Sequence, residues 1–309
     1  MRVTIVGAGH YARSIVSHKY VDCPRCELRG VISPHAPPER LLGTPLDGLP
    51  LVRSAAEWQR LHGDPGDRDL FDLCVHPDAI LPTLLPLVDI GARLFVLPKP
   101  LATTRAGLDD VVAVVRDAGL RVAVASQWHY SRVTAAVREA VTAMKPPLRI
   151  EMDFSQRFDA LQRQHYTPYT ALLPHMLQIL HTAELWRPDA SDVFRREESP
   201  THLRVDIACQ SPIASLSLHT DIDAAVRRRL VTVSDLTGRN IHADFLGVFR
   251  NGVADKYPAV EIDGHRQEII EDNIAVMVRH EVAGFLDGGS YLDLEGYLPV
   301  NDALVALRG

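Results

Sequence analysis

The sequence has little of what would place it outside the ordinary globular class. Four cysteines, at positions 23, 26, 74 and 209, are too few for a disulfide framework in 309 residues. A staple-dependent scaffold is excluded, and the reducing cytosol is the expected compartment. No apolar stretch reaches the ~18–20 residues that cross a bilayer, and the first residues lack the apolar core and cleavage site of a secretory signal. A soluble, cytoplasmic protein with no membrane partner is expected. Positive charge is not in excess either: 33 Lys+Arg against 39 Asp+Glu leaves −6, which gives no overall attraction to nucleic acid. The basic run Arg227-Arg228-Arg229 reads as a solvated turn or strand end. Signatures of other chemistries are missing. His280-Glu281 is followed by Val282-Ala283-Gly284 and does not complete His-Glu-x-x-His, no paired His/Cys spacing closes a metal site, and there is no Gly-x-Ser-x-Gly nucleophile elbow. Cys23-Pro24-Arg25-Cys26 has no second ligand pair and precedes a strand-like stretch, so it is read as structural.

What remains suits a packed core: 46% hydrophobic and 23% charged residues, in a length that allows about two domains. Up to residue 125 the pattern alternates. Strands are expected at Arg2–Val6, Leu28–Ser33, Leu51-Val52, Phe71–Val75, Arg93–Leu97 and Arg121–Ala125. Helices are expected at Ala55–Leu61, Ala79–Asp89 and Thr104–Ala118, the last with Leu108, Val111, Val112, Val115 and Ala118 at helical spacing. Continuous apolar strands joined by helices predict a doubly wound Rossmann parallel sheet covered on both faces. Beyond 125 the pattern changes to helices over Val133–Ala143 and Pro174–Leu185 and successive strands at Arg149–Phe154, Leu203–Ala208, Ile213–His219, Arg229–Ser234 and Ile241–Phe245. Helices return over Ile269–Leu286 and Asn301–Leu307. The expected architecture is α/β: domain 1–125 is a dinucleotide-binding domain. Domain 126–309 is an α+β substrate-binding and oligomerisation domain with a mostly antiparallel sheet open on one face. That face, taken as apolar, predicts a homodimer or homotetramer.

Gly7-Ala8-Gly9-His10-Tyr11-Ala12 follows the first strand directly and fits G-x-G-x-x-G/A. The first glycine makes a tight turn, the second admits a pyrophosphate, and the small residue at Ala12 lets helix pack on strand. Gly7, Gly9, His10, Tyr11 and Ala12 are therefore candidate cofactor residues. The acidic residue that takes the ribose hydroxyls of NAD belongs at the end of the second strand, yet the chain there reads Ile32-Ser33-Pro34-His35, with Glu39-Arg40 beyond. Ser33, His35 and Arg40 suit a 2′-phosphate, so NADP(H) is favoured over NAD(H).

Leu97-Pro98-Lys99-Pro100-Leu101 follows the fourth long strand at its C-terminal end, where open parallel sheets meet ligands. Together with Asp72-Leu73-Cys74-Val75-His76-Pro77-Asp78 and the glycine loop, this stretch makes the chain resemble the glucose–fructose oxidoreductase/inositol dehydrogenase (Gfo/Idh/MocA) family along most of its length. Where the family carries Glu-Lys-Pro, Pro98-Lys99-Pro100 keeps the lysine and second proline and loses the glutamate. Where it carries Asp-x-Gly-x-His, Ala171-Leu172-Leu173-Pro174-His175 keeps only the histidine. Gln127-Trp128-His129, with Tyr130 adjacent, stands at the family's Asn-x-Arg stretch. The resemblance implies that Lys99 contacts substrate and cofactor, that His76, Pro77 and Pro100 line the cofactor, and that the second domain holds the substrate.

Pro174 suits the first turn of a helix, which would put His175 at the positive end of the macrodipole, where its imidazolium is disfavoured. A neutral imidazole there can bond a substrate heteroatom; the competing reading is a histidine that satisfies a core polar group. Lys99 has the competing reading of a solvated loop lysine, and Tyr130 and His129 are equally readable as proton donors or wall residues. Leu172, Leu173, Met176, Leu177 and Leu180 read as core. With the family carboxylates lost, an NAD(P)-dependent oxidoreductase acting on a small-molecule C=O or C=N carbon (ketone, sugar or imine) is expected, with Lys99, His175 and Tyr130 as the catalytic candidates. Family relatives that reduce thiazolinyl imines make an imine substrate reasonable. A non-catalytic NADP-binding sensor or scaffold is the main alternative. An eliminase or hydrolase that keeps its cofactor bound is another.

Overall fold

A computed structural model describes residues 1–186, 193–209, 212–250 and 253–308. The chain forms two compact units. The first comprises Met1–Gln127 with Asn273–Asn301, the second Trp128–Asp272 with Asp302–Gly309.

In the first unit, β1 (Arg2–Val6), β2 (Glu27–Ile32), β3 (Leu51–Val52), β4 (Asp69–Leu73), β5 (Leu94–Pro98) and β6 (Arg121–Ala125) form one sheet in the order β3-β2-β1-β4-β5-β6, every pair parallel. The central strands are mostly apolar because both faces are covered: Val3, Ile5, Leu70, Phe71, Phe95, Val96 and Leu97 are all buried. The helices are punctuated by side-chain caps. Ser54 caps α2 (Ala55–His62), whereas α3 (Ile80–Asp89) lacks such a cap and grows out of the turn Pro77–Ala79. Thr104 caps α4 (Arg105–Asp117), which buries Leu108, Val111 and Val115 at intervals of three and four. The helix after β1 opens at His10, widens into a π turn over Ala12–Val16 and closes as α1 (Ser17–Val21). Strand order reverses direction between β1 and β4, and this topological switch point is where ligands of such sheets bind.

In the second unit, α5 (Arg132–Val141), β7 (Leu148–Arg157), α6 (Ala160–His165), α7 (Pro168–Ala171) and α8 (Leu173–Thr182) precede a run of strands. These are β8 (Val193–Glu198), β9 (His202–Ala208), β10 (Ile213–Asp221), β11 (Asp223–Ser234), β12 (Asn240–Asp244), β13 (Val248–Arg250), β14 (Val253–Lys256), β15 (Ala259–Ile262) and β16 (His265–Glu268). Seven of them join β7 in an eight-stranded mixed sheet, β16-β15-β12-β11-β7-β10-β9-β8, antiparallel except for β7 beside β10; β13 and β14 pair separately. Strict alternation sorts the sheet's faces. Ile150, Met152, Phe154, Leu216, Leu218, Val231 and Val233 are buried on the side of α5 and α8.

The other face is polar, not apolar as the sequence reading had it. Glu151, Asp153, Arg204, Asp206, His219 and Arg228 alternate with that core, and Arg228–Asp153 at 2.7 Å and Arg204–Asp206 at 3.0 Å are ion-paired. Within the basic run Arg227 and Arg228 are exposed, as expected of a solvated strand, and Arg229 alone departs from that reading. Arg229, 5% exposed, lies over the Phe154 ring at 5.1 Å and donates to the Ser155 carbonyl, and burial pulls its guanidinium down to about 9.

The last helices, α9 (Asn273–Asp287) and α10 (Leu294–Arg308), also depart from the expected 126–309 continuity. α9 buries Met277, Val278, Val282 and Phe285 within the first unit, packing against α1 and β6. The Val124 N–H donates to the Leu292 carbonyl at 2.9 Å, closing off the sheet's edge strand.

Candidate functional site

β1 is in register with both its neighbours, Val6 opposite Ile32 and Leu73, so three strands end level at the switch point. There Gly7 donates to the Ile32 carbonyl at 2.8 Å and Cys74 to the Val6 carbonyl at 2.7 Å. Gly7 has φ +104°, and a Cβ on it would lie 2.5 Å from the Cys74 carbonyl oxygen, so no other residue fits this turn. A Cβ on Gly9 would meet nothing within 4 Å. The first glycine is thus demanded by the protein's own packing, while the second leaves open space where the helix begins. That is the geometry a pyrophosphate requires, and the residues present fit a dinucleotide. The π turn begins at Ala12, immediately beyond the loop, a place where such widened turns recur near functional sites.

At the end of β2, Ser33 is buried while His35 and Arg40 are exposed. Arg53 holds this segment by donating to the carbonyls of Ser33 and Ala36. Arg13 donates through Nε to Ala8 O at 3.0 Å and through Nη1 to Arg40 O at 3.0 Å. One side chain therefore joins the glycine loop to the Arg40 turn, so those two groups of predicted residues are brought together. No carboxylate stands at the strand end. His76, after β4, caps the turn that starts at Pro77, its Nδ1 accepting from the Asp78 N–H at 3.5 Å.

Behind the loop lies a buried acidic cluster. Asp72 and Glu281 are 2% and 1% exposed, and neither oxygen of Glu281 has a hydrogen-bond partner. Tyr20 donates to Asp72 Oδ2 at 3.0 Å, and the Cys74 thiol faces Oδ1. Burial pushes the Asp72 carboxyl up to about 7 against the pull of those two bonds. Burial, then the charge of Asp72, pushes Glu281 well above the carboxylate range. Burial, and then Asp72, likewise raises the Tyr11 phenol. The pair is at home in its protonated form.

Lys99 and Pro100 follow β5, the lysine half-buried and the proline buried, joined by a cis peptide bond. The next two residues are held by a side chain that sequence reasoning did not single out. Asn301, fully buried on α10, accepts from the Leu101 and Ala102 N–H groups at 2.8 and 3.4 Å and donates to the Ala102 carbonyl at 3.1 Å. Two hundred residues separate the partners, and no local pattern signals the contact. The thiols of Cys23 and Cys26 are free, and burial, with a bond to Cys23, pushes Cys26 up to about 12; this is a structural turn and not a reactive one.

In the second unit, α8 begins at Leu173 with Pro174 in its first turn. From Ala171 to Leu180 every residue is buried except His175, which is half-exposed. Trp128, 6% exposed, donates its indole N–H to His175 Nδ1 at 2.7 Å and stacks edge-to-face on Phe245 at 5.3 Å. Trp128 too was passed over in the sequence, where only its neighbours carried a motif. Tyr130 is half-exposed, with the His129 ring against it at 4.9 Å. Among the described residues no group of three or more His, Cys, Asp or Glu could hold a metal ion, and no helix is long and apolar enough to cross a membrane.

Set beside known proteins, the sequence matches no family model and no curated sequence. Solved structures match it end to end. A 3-ketoreductase from Actinomadura kijaniata, in complex with TDP-benzene and NADP, is 14% identical, with a TM-score of 0.76 over 99% of this chain and 96% of its own. UDP-N-acetylglucosamine 3-dehydrogenase from Acidithiobacillus ferrooxidans is 14% identical, with a TM-score of 0.76 over 100% and 96%. Aldose–aldose oxidoreductase from Caulobacter crescentus is 14% identical, with a TM-score of 0.77 over 100% and 96%. The likeness shows that this chain has their fold in both halves.

Proposed function

From a fold held in common, along its whole length, with oxidoreductases that act on sugars, we propose that this protein is an NAD(P)-dependent oxidoreductase, a divergent member of the Gfo/Idh/MocA family. The observation that carries the reading is the glycine loop at the switch point, with its forced turn at Gly7 and its open space at Gly9. Gly7, Gly9, His10, Tyr11 and Ala12 would hold the pyrophosphate, with His76, Pro77 and Pro100 along the nicotinamide half. When bound, that cofactor exchanges hydride with a substrate carbon. Ser33, His35 and Arg40, with no competing carboxylate, favour NADP(H). Lys99, His175 and Tyr130 orient a ketone, sugar or imine and manage the proton on its oxygen or nitrogen. Loss of the family carboxylates at Pro98 and Ala171 makes reduction of C=O or C=N the better-supported direction, because a polarised double bond asks less of a general base.

Single-turnover consumption of NADPH over a panel of ketones, nucleotide-linked keto-sugars and cyclic imines tests this. Lys99→Ala and His175→Ala should each lower the rate roughly 10²–10⁴-fold if they move or hold the proton. The same losses at Pro98 and Ala171 favour a second reading, a non-catalytic NADP-binding sensor. Tight NADPH binding with no turnover on any of the panel would select it. Assembly as a homodimer or homotetramer predicts a multiple of the chain mass in light scattering.

A further inference from the structure

We propose that Trp128 locks His175 in its neutral, Nε2-protonated tautomer, so that His175 serves as a hydrogen-bond donor to the substrate's heteroatom and the transferred proton comes from another group. The inference rests on the oxidoreductase reading for its chemistry but on the second unit's own geometry for the tautomer.

An indole N–H is a donor only. Placed 2.7 Å from His175 Nδ1, it requires a lone pair there, and a neutral imidazole with a lone pair on Nδ1 carries its one hydrogen on Nε2. An imidazolium would set two N–H groups against each other. Trp128 cannot swing aside to admit that, because it is buried and its ring is wedged edge-to-face, at 88°, on Phe245. The backbone adds to this, since the first turn of α8 presents the positive end of its dipole to the ring. A catalytic imidazole that works as a base has the opposite partner, a carboxylate or carbonyl that accepts from Nδ1–H and leaves the lone pair on Nε2. Here a donor occupies that position and the polarity of the ring is reversed. Ala171, one turn earlier, offers no carboxylate to restore it.

A neutral Nε2–H can polarise a C=O or C=N bond, as a neutral imidazole held at a helix N-terminus does in other active sites. As hydride adds to the carbon, the C–H bond forms, the π bond breaks, and its electron pair settles on the heteroatom facing Nε2–H. Surrender of that hydrogen would leave an imidazolate. The proton that completes the product is therefore delivered by another side chain that can lose one, such as the Tyr130 phenol of the same unit. In the reverse direction the same Nε2–H would hold the alkoxide while that other group takes up the proton, so the arrangement removes His175 as the acid or base in either direction.

Long-range ¹H–¹⁵N correlation spectra of the imidazoles in ¹⁵N-labelled protein read this directly, with the His175 signals assigned by their loss in His175→Gln. The expected pattern near neutral pH is an unprotonated Nδ1 and a protonated Nε2. Trp128→Phe keeps the ring against Phe245 but removes the N–H, and should collapse that pattern into averaged signals from exchanging tautomers while leaving the NADPH dissociation constant within twofold. An Nδ1–H or imidazolium pattern in the wild-type protein overturns the proposal, and so does an unchanged pattern in a folded Trp128→Phe. If that variant does not fold, the wild-type spectrum still decides. Failure of the oxidoreductase reading would show elsewhere, as absence of NADPH binding or turnover with the tautomer intact.

Discussion

Replacing Asp72 with asparagine should stabilise the protein at neutral pH and flatten its dependence on pH. The carboxyl is 2% exposed and raised from 3.8 to about 7 by burial. Between those two values the folded chain binds a proton that the unfolded chain has already released, so folding stability falls as pH rises through that window and is fully present only below it. At ~1.4 kcal/mol for each pH unit between the two values, the whole loss is about 4 kcal/mol. Between pH 5 and pH 8 it is roughly 2–3 kcal/mol. Because the carboxyl is buried, solvent screening does not discount it. Asparagine has the same shape, takes the Tyr20 hydroxyl bond through its own oxygen, and cannot ionise. Denaturant unfolding followed by tryptophan fluorescence, with buried Trp58 reporting on the first unit, gives midpoints at pH 5 and pH 8 for both proteins. The quantity to read is the difference between the two pH-dependences, which cancels every other titrating group. If Asp72→Asn leaves the pH-dependence as it was, or if it costs more stability at pH 8 than at pH 5, the protonated-pair argument fails.

Three more expectations are open to direct measurement. Gly9→Ala should keep the wild-type melting temperature yet weaken NADPH binding at least tenfold by fluorescence titration. Gly7→Ala should lose both, because the positive φ and the 2.5 Å approach to Cys74 O together cost about 1–3 kcal/mol or more; equal behaviour of the two variants would refute the division of labour between them. Asn301→Leu should strand two buried amides and a carbonyl, at about 2–4 kcal/mol, and raise hydrogen exchange at Leu101 and Ala102 selectively, whereas uniform exchange across the first unit would count against a local clasp. Arg40→Glu should raise the dissociation constant for NADPH much more than that for NADH, and a parallel loss of both would remove Arg40 from 2′-phosphate recognition.

How far the sequence could be read depended on the range of the interactions concerned. β1, the glycine loop and α4 are legible because their causes are local: a β-branched run, a turn that only glycine makes, and apolar residues three and four apart after a capping threonine. Lys99 is marked by the prolines beside it and by its place after a buried strand. The partners that tune the site are not local. Asn301 reaches back two hundred residues, Glu281 joins Asp72 from the far end of the chain, and Trp128 meets His175 through tertiary packing. β16 is exposed at every position and shows no alternation to read, and a polar sheet face was taken for an apolar one because the pairing of its charges across strands is invisible in one dimension. The last helices were assigned by continuity along the chain, where contact decides.

The chain passes between its two units three times, after Gln127, Asp272 and Asn301, and the last crossing falls inside a single helix, α10. Residues 128–272 thus interrupt the first unit and residues 302–309 return to the second, and this sets an order of assembly. A ribosome that has released only residues 1–127 has made every strand of the first sheet but neither α9, whose Glu281 and apolar face close over Asp72, nor Asn301, which ties down Leu101 and Ala102. Residues 1–127 expressed alone would expose β6 as an open edge, so a partial chain is prone to strand-to-strand association until its final helices arrive.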